Sequence, residues 1–164
     1  MFFMVWYIYI CRDDINWLLQ LPYTISLPDF DAFVVHAGLV PGIPLSQQAV
    51  RNMVVVREVK KTESESKLDL KLKPESGVRG TYMSSEGPCV DSVGWIDAWS
   101  ELDKLDIVNG SHVYYGHDAV RGLQQHALTT GLDTGCCYGR SLSAMMLPSK
   151  RLVQVDALNV YEVP

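Results

Sequence analysis

Two apolar runs in this 164-residue chain end on a histidine. In AFVVHAGLVPG, residues 32–42, the run stops at His36, before Ala-Gly and a proline turn. In VYYGHDAVRGL, residues 113–123, it stops at His117, with glycine just before and aspartate just after. Imidazole at such a place is a natural ligand for zinc, manganese or iron. A histidine at the point where a strand gives way to a loop stands where sheet proteins gather ligands and catalytic groups. Glycine beside it lets backbone and substrate approach closely, and Asp118 is placed to orient a neighbouring imidazole. Histidines that merely cap strands would leave the same pattern, so the pair alone does not decide the chemistry.

The histidines need strands to hold them. DFDAFVVHAG, residues 29–38, reads as one, and the run Phe33, Val34, Val35, apolar on both faces, suits a central covered strand. SHVYYGH, residues 111–117, reads as another. Upstream, RDDINWLLQL, residues 12–21, spaces Ile15, Leu18, Leu19 and Leu21 as a helix does, with Asp13 or Asp14 as N-cap and Pro22 as the stop. YTISL, residues 23–27, is a strand ending at Pro28. Residues 43–59 predict a helix begun near Pro44 and Ser46, weakened by the β-branched run Val54 to Val56. GWIDAWSELDKL, residues 94–105, places Trp95 and Trp99 on one helical face, toward the core. Residues 118–127 predict a short helix, and residues 131–158 a Gly-rich loop and two short strands joined by the turn LPSK. This mixed order predicts an α/β fold, or α+β, with a central sheet.

Composition narrows the partners. The length suffices for one domain with a real core, and 48% hydrophobic with 20% charged residues is ordinary for a soluble globular protein. A net charge of −5 offers no footprint for duplex nucleic acid. Cys11, Cys89, Cys136 and Cys137 are too few and too irregular for a disulfide framework and contain no CxxC, which points to a reducing, cytoplasmic setting. MFFMVWYIYIC, residues 1–11, falls short of the roughly 20 apolar residues a spanning helix needs, and lacks a signal peptide's charged start and cleavage site. It is expected to be a buried strand or a stretch that needs a partner, not a membrane anchor. Residues 60–92, rich in Ser, Glu, Lys and Gly, read as a surface insertion in which SKLDLKLK, residues 66–73, alternates like an edge strand. Asn109-Gly110 reads as a turn before a strand.

Taken together, VVHAGLVPG, VYYGHDAVRGLQ and GLDTGCCYGRSLSAMML, in this order, resemble the C-terminal half of a calcineurin-like metallophosphatase. The nearest resemblance is to the branch similar to bacterial symmetrical diadenosine tetraphosphatase, the ApaH-like phosphatases. It covers residues 15–164 and is weakest in the insertion. It implies part of a β-sandwich flanked by helices, with His36 and His117 binding one ion of a dinuclear centre of Mn, Zn or Fe. In that family two cations about 3.5–4 Å apart activate a bridging water for in-line attack on phosphorus and neutralise charge on the phosphoryl oxygens. The resemblance further implies that Arg57, with Arg51 as its rival, contacts phosphate. DTGCCYG resembles the family loop D-T-G-C-x-[WY]-G, so that Asp133, Cys137 and Tyr138 line or brace the site. The vicinal thiols of Cys136 and Cys137 are expected to be buried and inert. Asp118 is expected to begin the next helix and support the imidazole. His112 and His126 read as ordinary.

The departures matter as much. The family's earlier motifs, G-D-x-H-G, G-D-x-x-D-R-G and G-N-H-[ED], supply the bridging aspartate, the other ion's ligands and the histidine that protonates the leaving group. This sequence has no Gly-Asp and no Asn-His dipeptide. A C-terminal part with at most a partial metal site is therefore expected, its catalytic acid unassigned and the isolated chain inactive. Phosphoproteins, dinucleoside polyphosphates, RNA caps and polyphosphate all remain open as substrates. A competing expectation is a non-catalytic half-domain that binds a protein partner.

Overall fold

The computed structural model describes residues 11–61, 82–84, 91–101 and 111–163. The stretch 1–10, the strand expected at 66–73, Cys89 and the Asn109-Gly110 turn lie outside the described residues. The chain runs through α1 (Arg12–Leu18), β1 (Thr24–Leu27), β2 (Ala32–Val35), α2 (Val50–Val55), β3 (Glu58–Lys61), β4 (Tyr82–Ser84) and β5 (Ser92–Gly94). It continues through α3 (Trp95–Glu101), β6 (His112–Tyr115), β7 (Gln124–Gln125), β8 (Thr129–Gly131), β9 (Ser141–Met146) and β10 (Arg151–Asp156). Among the described residues no helix is long and apolar enough to cross a membrane.

Among the described residues three sheets form, and the architecture is the mixed α/β class that the element order predicts. The largest has strand order β1-β2-β6-β8-β7. Its centre is parallel: Ala32 pairs with His112 and Val34 with Tyr114, while Val113 pairs with Thr129 and Tyr115 with Gly131. β1 and β7 close its two edges antiparallel. β2 is thus an interior strand, as its apolar run predicts, with Ala32 and Val35 buried. Parallel neighbours need a long crossover. Between β2 and β6 that connection carries α2, the sheet β4-β3-β5 and α3. β9 and β10 pair as a separate hairpin. The core joins these pieces through Val35, Leu39, Val59, Trp95, Trp99, Val113 and Tyr115.

Four local expectations are corrected. The cap of α1 is Cys11, whose Sγ accepts from the Asp14 N–H at 3.4 Å. Asp13 and Asp14 sit inside the first turn, where a carboxylate favours the positive end of the helix dipole. The helix expected over 43–59 splits into a 3-10 turn, Leu45–Gln47, and the short α2. Gln48 causes the break. Its side-chain amide accepts from the Val40 N–H at 3.0 Å and donates to the Val40 and Ile43 carbonyls at 2.8 and 2.9 Å, holding the loop after His36. The insertion is not wholly solvated either, since Tyr82 within it is buried in the core. Residues 118–127 form no helix. A single turn, closed by the Gly122 N–H on the Asp118 carbonyl at 3.1 Å, ends at Gly122 with φ +71° and leads into β7.

Candidate metal centre

Parallel pairing of β2 with β6 brings the two histidines to the same end of the sheet. The Gly116 N–H donates to the His36 carbonyl at 2.8 Å, and the imidazole centroids lie 5.1 Å apart at an interplanar angle of 58°. β8 adds a third contribution, because the Leu132 N–H donates to the Tyr115 carbonyl at 2.8 Å and Asp133 follows. Gly116 lies between them. A Cβ there would sit 3.6 Å from the His36 carbonyl oxygen and 3.9 Å from Asp133 Cβ, ordinary contact distances, so the glycine is not forced by crowding. The demanding position is His117 itself. Its φ is +68°, and the Asp118 N–H reaches back to the Gly116 carbonyl at 2.8 Å. That is a γ-turn in its rare positive-φ form, a strained backbone of the kind that gathers at functional sites.

Burial is the largest influence on the His117 imidazole and pushes its pKa down. The nearby charges of Arg57 and His36 push the same way, while Asp118 and Asp133 oppose them. The ring is thereby kept neutral, the form in which a nitrogen lone pair can bind a metal. Of the two candidate arginines, Arg57 is the one whose charge acts on His117. It lies just beyond the Val56 cap of α2 and is exposed, and its carbonyl accepts from the Trp95 N–H at 3.1 Å.

The remaining predicted residues take more structural positions. Asp118 is buried and pairs with Arg121 at 2.9 Å, so it reaches His117 through its field and not through a hydrogen bond. Asp133 accepts from the Gly135 N–H at 3.1 Å and shapes the turn after β8. Tyr138 is half-buried near Gly135. The carbonyl of Cys137 accepts from the Tyr161 and Glu162 N–H groups at 2.9 Å, anchoring the C-terminal segment. Its thiol is exposed and that of Cys136 partly so, contrary to the expected burial, because both ride a 3-10 turn between Gly135 and Gly139 at the surface. One brace had no sequence signal: Arg140 donates to the Ala119 carbonyl at 2.9 Å, tying this loop to the turn after His117. His112 and His126 stay out of the site. His112 meets the Thr130 hydroxyl at 2.8 Å, and His126 is exposed.

Two imidazoles suit one face of a metal shell but do not complete it. A zinc site takes at least three protein ligands, and among the described residues no group of three or more His, Cys, Asp or Glu converges to hold an ion.

Comparison with protein families finds no matching family model. The zinc-dependent endopolyphosphatase of Saccharomyces cerevisiae is 27% identical over 113 residues, which cover 69% of this chain and 30% of that protein. A crystal structure assigned provisionally as a diadenosine tetraphosphatase superposes with a TM-score of 0.70 at 28% identity, over 92% of this chain and 58% of its own. The chain therefore spans under a third of the curated relative and somewhat over half of the solved structure. With two histidines side by side at parallel strand ends, and with an endopolyphosphatase and a diadenosine tetraphosphatase as the relatives by name, the resemblance to the calcineurin-like metallophosphatases and their ApaH-like branch is borne out.

Proposed function

We propose that this chain supplies one half of a metal-dependent site that hydrolyses phosphoric anhydrides, with polyphosphate or a dinucleoside polyphosphate as the substrate class. The observation that carries the reading is the His36–His117 pair, rings 5.1 Å apart, with Arg57 acting on the same spot. His36 and His117 would be two ligands of one divalent ion, zinc or manganese; the zinc dependence in the name of the yeast relative supports that choice. Bound metal would supply Lewis-acid polarisation of a phosphoryl oxygen and a nucleophilic water at neutral pH. The protein's own groups do the rest. Arg57 presents a guanidinium fork suited to phosphate oxygens. Asp133, with an oxygen committed to the Gly135 N–H, and Asp118, with its Arg121 partner, bound the site with negative charge. Water attacks phosphorus, the bridging P–O bond breaks, and the leaving phosphate takes up a proton; no residue of this chain is assigned to deliver it.

A specific observation favours a second reading, a non-catalytic half-domain that binds a protein partner: α1 buries none of its residues, although it carries Ile15, Trp17 and Leu18. A cytoplasmic location accompanies both readings, on the strength of cysteines that form no framework. The test is metal analysis and calorimetry on the 164-residue chain. Less than one tightly bound equivalent of Mn²⁺ or Zn²⁺ is expected, with no release of phosphate from polyphosphate. Two tight ions per chain would overturn the half-site.

A further inference from the structure

The groups gathered at the site come from four separate segments, and each segment adjoins Trp95 or Tyr115. Gly38 stands two residues after His36. A Cβ at Gly38 would lie 2.4 Å from Trp95 Cε2 and 2.8 Å from Cδ2 and Cζ2, so the indole leaves space for hydrogen alone. A leucine side chain ends at its Cδ atoms, so it has nothing in the place of Cε2 or Cζ2. The backbone N–H of Trp95 holds the Arg57 carbonyl at 3.1 Å. Tyr115 stands two residues before His117, its ring centroid 5.0 Å from that of Trp95 and nearly perpendicular to it at 78°. Tyr115 in turn lies over Gly131, two residues before Asp133, where a Cβ would meet the phenol Cζ at 2.7 Å. Trp95 is 2% exposed and Tyr115 3%. Close-packed interiors pass a displacement on instead of absorbing it, so these rings set distances at the site without touching it.

We infer that Trp95, relayed by Tyr115, is a positioning residue: the indole fixes the separation of the His36 loop from the His117 turn, while the Trp95 backbone N–H holds the Arg57 segment. This rests on reading His36 and His117 as a working pair, and not on which ion or substrate they hold. A tryptophan that only filled the core would change stability when altered. A positioning tryptophan also moves the histidines, and a compensating change of shape restores them.

The test uses the 164-residue chain in three variants, Trp95→Leu, Gly38→Ala and the two combined. The smaller side chain opens a gap beside Gly38, the added methyl fills that gap, and the methyl alone pushes the indole away. Readouts are the nuclear Overhauser contact between the His36 and His117 ring protons in metal-free protein, Zn²⁺ affinity, and the thermal midpoint. Each single change is expected to abolish or weaken the ring contact and to lower affinity roughly 10–100-fold, the range for groups that orient ligands. The double variant should recover most of both. If the single changes lower the midpoint but leave ring contact and affinity unchanged, Trp95 is a core residue only and the inference fails. It fails too if the double variant does not recover, or if the unaltered chain shows no ring contact. Should the unaltered chain show the contact yet bind no Zn²⁺, the metal reading falls and the ring contact alone decides the inference. If Trp95→Leu does not fold, Gly38→Ala, which keeps the indole, decides it.

Discussion

Two tryptophans, Trp99 and Trp17, show how unevenly this chain is packed. Trp99, on α3, is 0% exposed and sits edge-on to Trp95 at 6.2 Å. Trp17, on α1, is 61% exposed, and its neighbour Leu19 is 76% exposed. Both helices are seven residues long and both carry apolar residues at helical spacing. The difference is what each spacing meets. The face of α3 finds the interior strand β6 and the loop after His36, whereas no residue of α1 is buried. Helical periodicity reveals that a segment has an apolar face; it does not reveal whether anything covers that face.

Substitutions should separate the two regions sharply. Trp99→Ala is expected to cost about 3–5 kcal/mol in urea unfolding, the usual range for emptying a buried aromatic site. Trp17→Ala should stay within about 0.5 kcal/mol of the unaltered chain, as exposed substitutions do. Equal costs would show that α1 is packed in solution as α3 is. The exposed surface also leads us to expect self-association, since apolar patches and the β1 edge, which pairs with no further strand among the described residues, invite it. Leu19→Lys should shift the sedimentation profile toward the monomer; a monomeric unaltered chain with a cooperative melt would contradict this.

A smaller effect tests the brace beside the site. Gln48→Leu leaves the Val40 N–H without its acceptor and the Val40 and Ile43 carbonyls without their donor. A loss of roughly 1–3 kcal/mol is expected, the cost of stranding buried polar groups. An unchanged urea midpoint would show that water replaces the amide. The smallest effect concerns pH. Burial lowers the His112 pKa below its ordinary value, with the charge of Lys150 acting the same way. The unfolded chain then binds a proton more readily than the folded one. Stability should fall as pH drops through about 6.5 toward the folded value, and His112 should contribute no slope above that window. His112→Gln should flatten the slope; an unaltered slope would assign the effect to another group.

Much of the centre was legible in the sequence because its signals are local. His36 and His117 each end a β-branched or aromatic run, and that pattern identifies a strand end. Trp95 and Trp99, four residues apart, mark a buried helical face. What escaped depends on contacts between distant residues. Residues 118–127 have helical spacing, but the γ-turn at His117 and the positive φ of Gly122 prevent a helix from propagating. Gln48 looks like any helix residue until Val40, eight positions earlier, is found within its reach. Tyr82 lies in a stretch of solvated composition yet is buried, because its strand pairs with β3 across the connection. The exposure of the Cys136 and Cys137 thiols follows from a surface turn that two positive-φ glycines create.

The central claim is that His36 and His117 act together on one ion, and metal titration of single variants tests it most directly. Zn²⁺ binding would be followed by calorimetry for the unaltered chain, His36→Ala, His117→Ala and His126→Ala, with folding checked by circular dichroism. His36→Ala and His117→Ala should each weaken binding by at least the 10–100-fold that loss of a supporting group typically costs. His126→Ala, which removes an exposed ring, should bind as the unaltered chain does. Equal affinity across all four proteins would show that the paired imidazoles are structural and contradict the account.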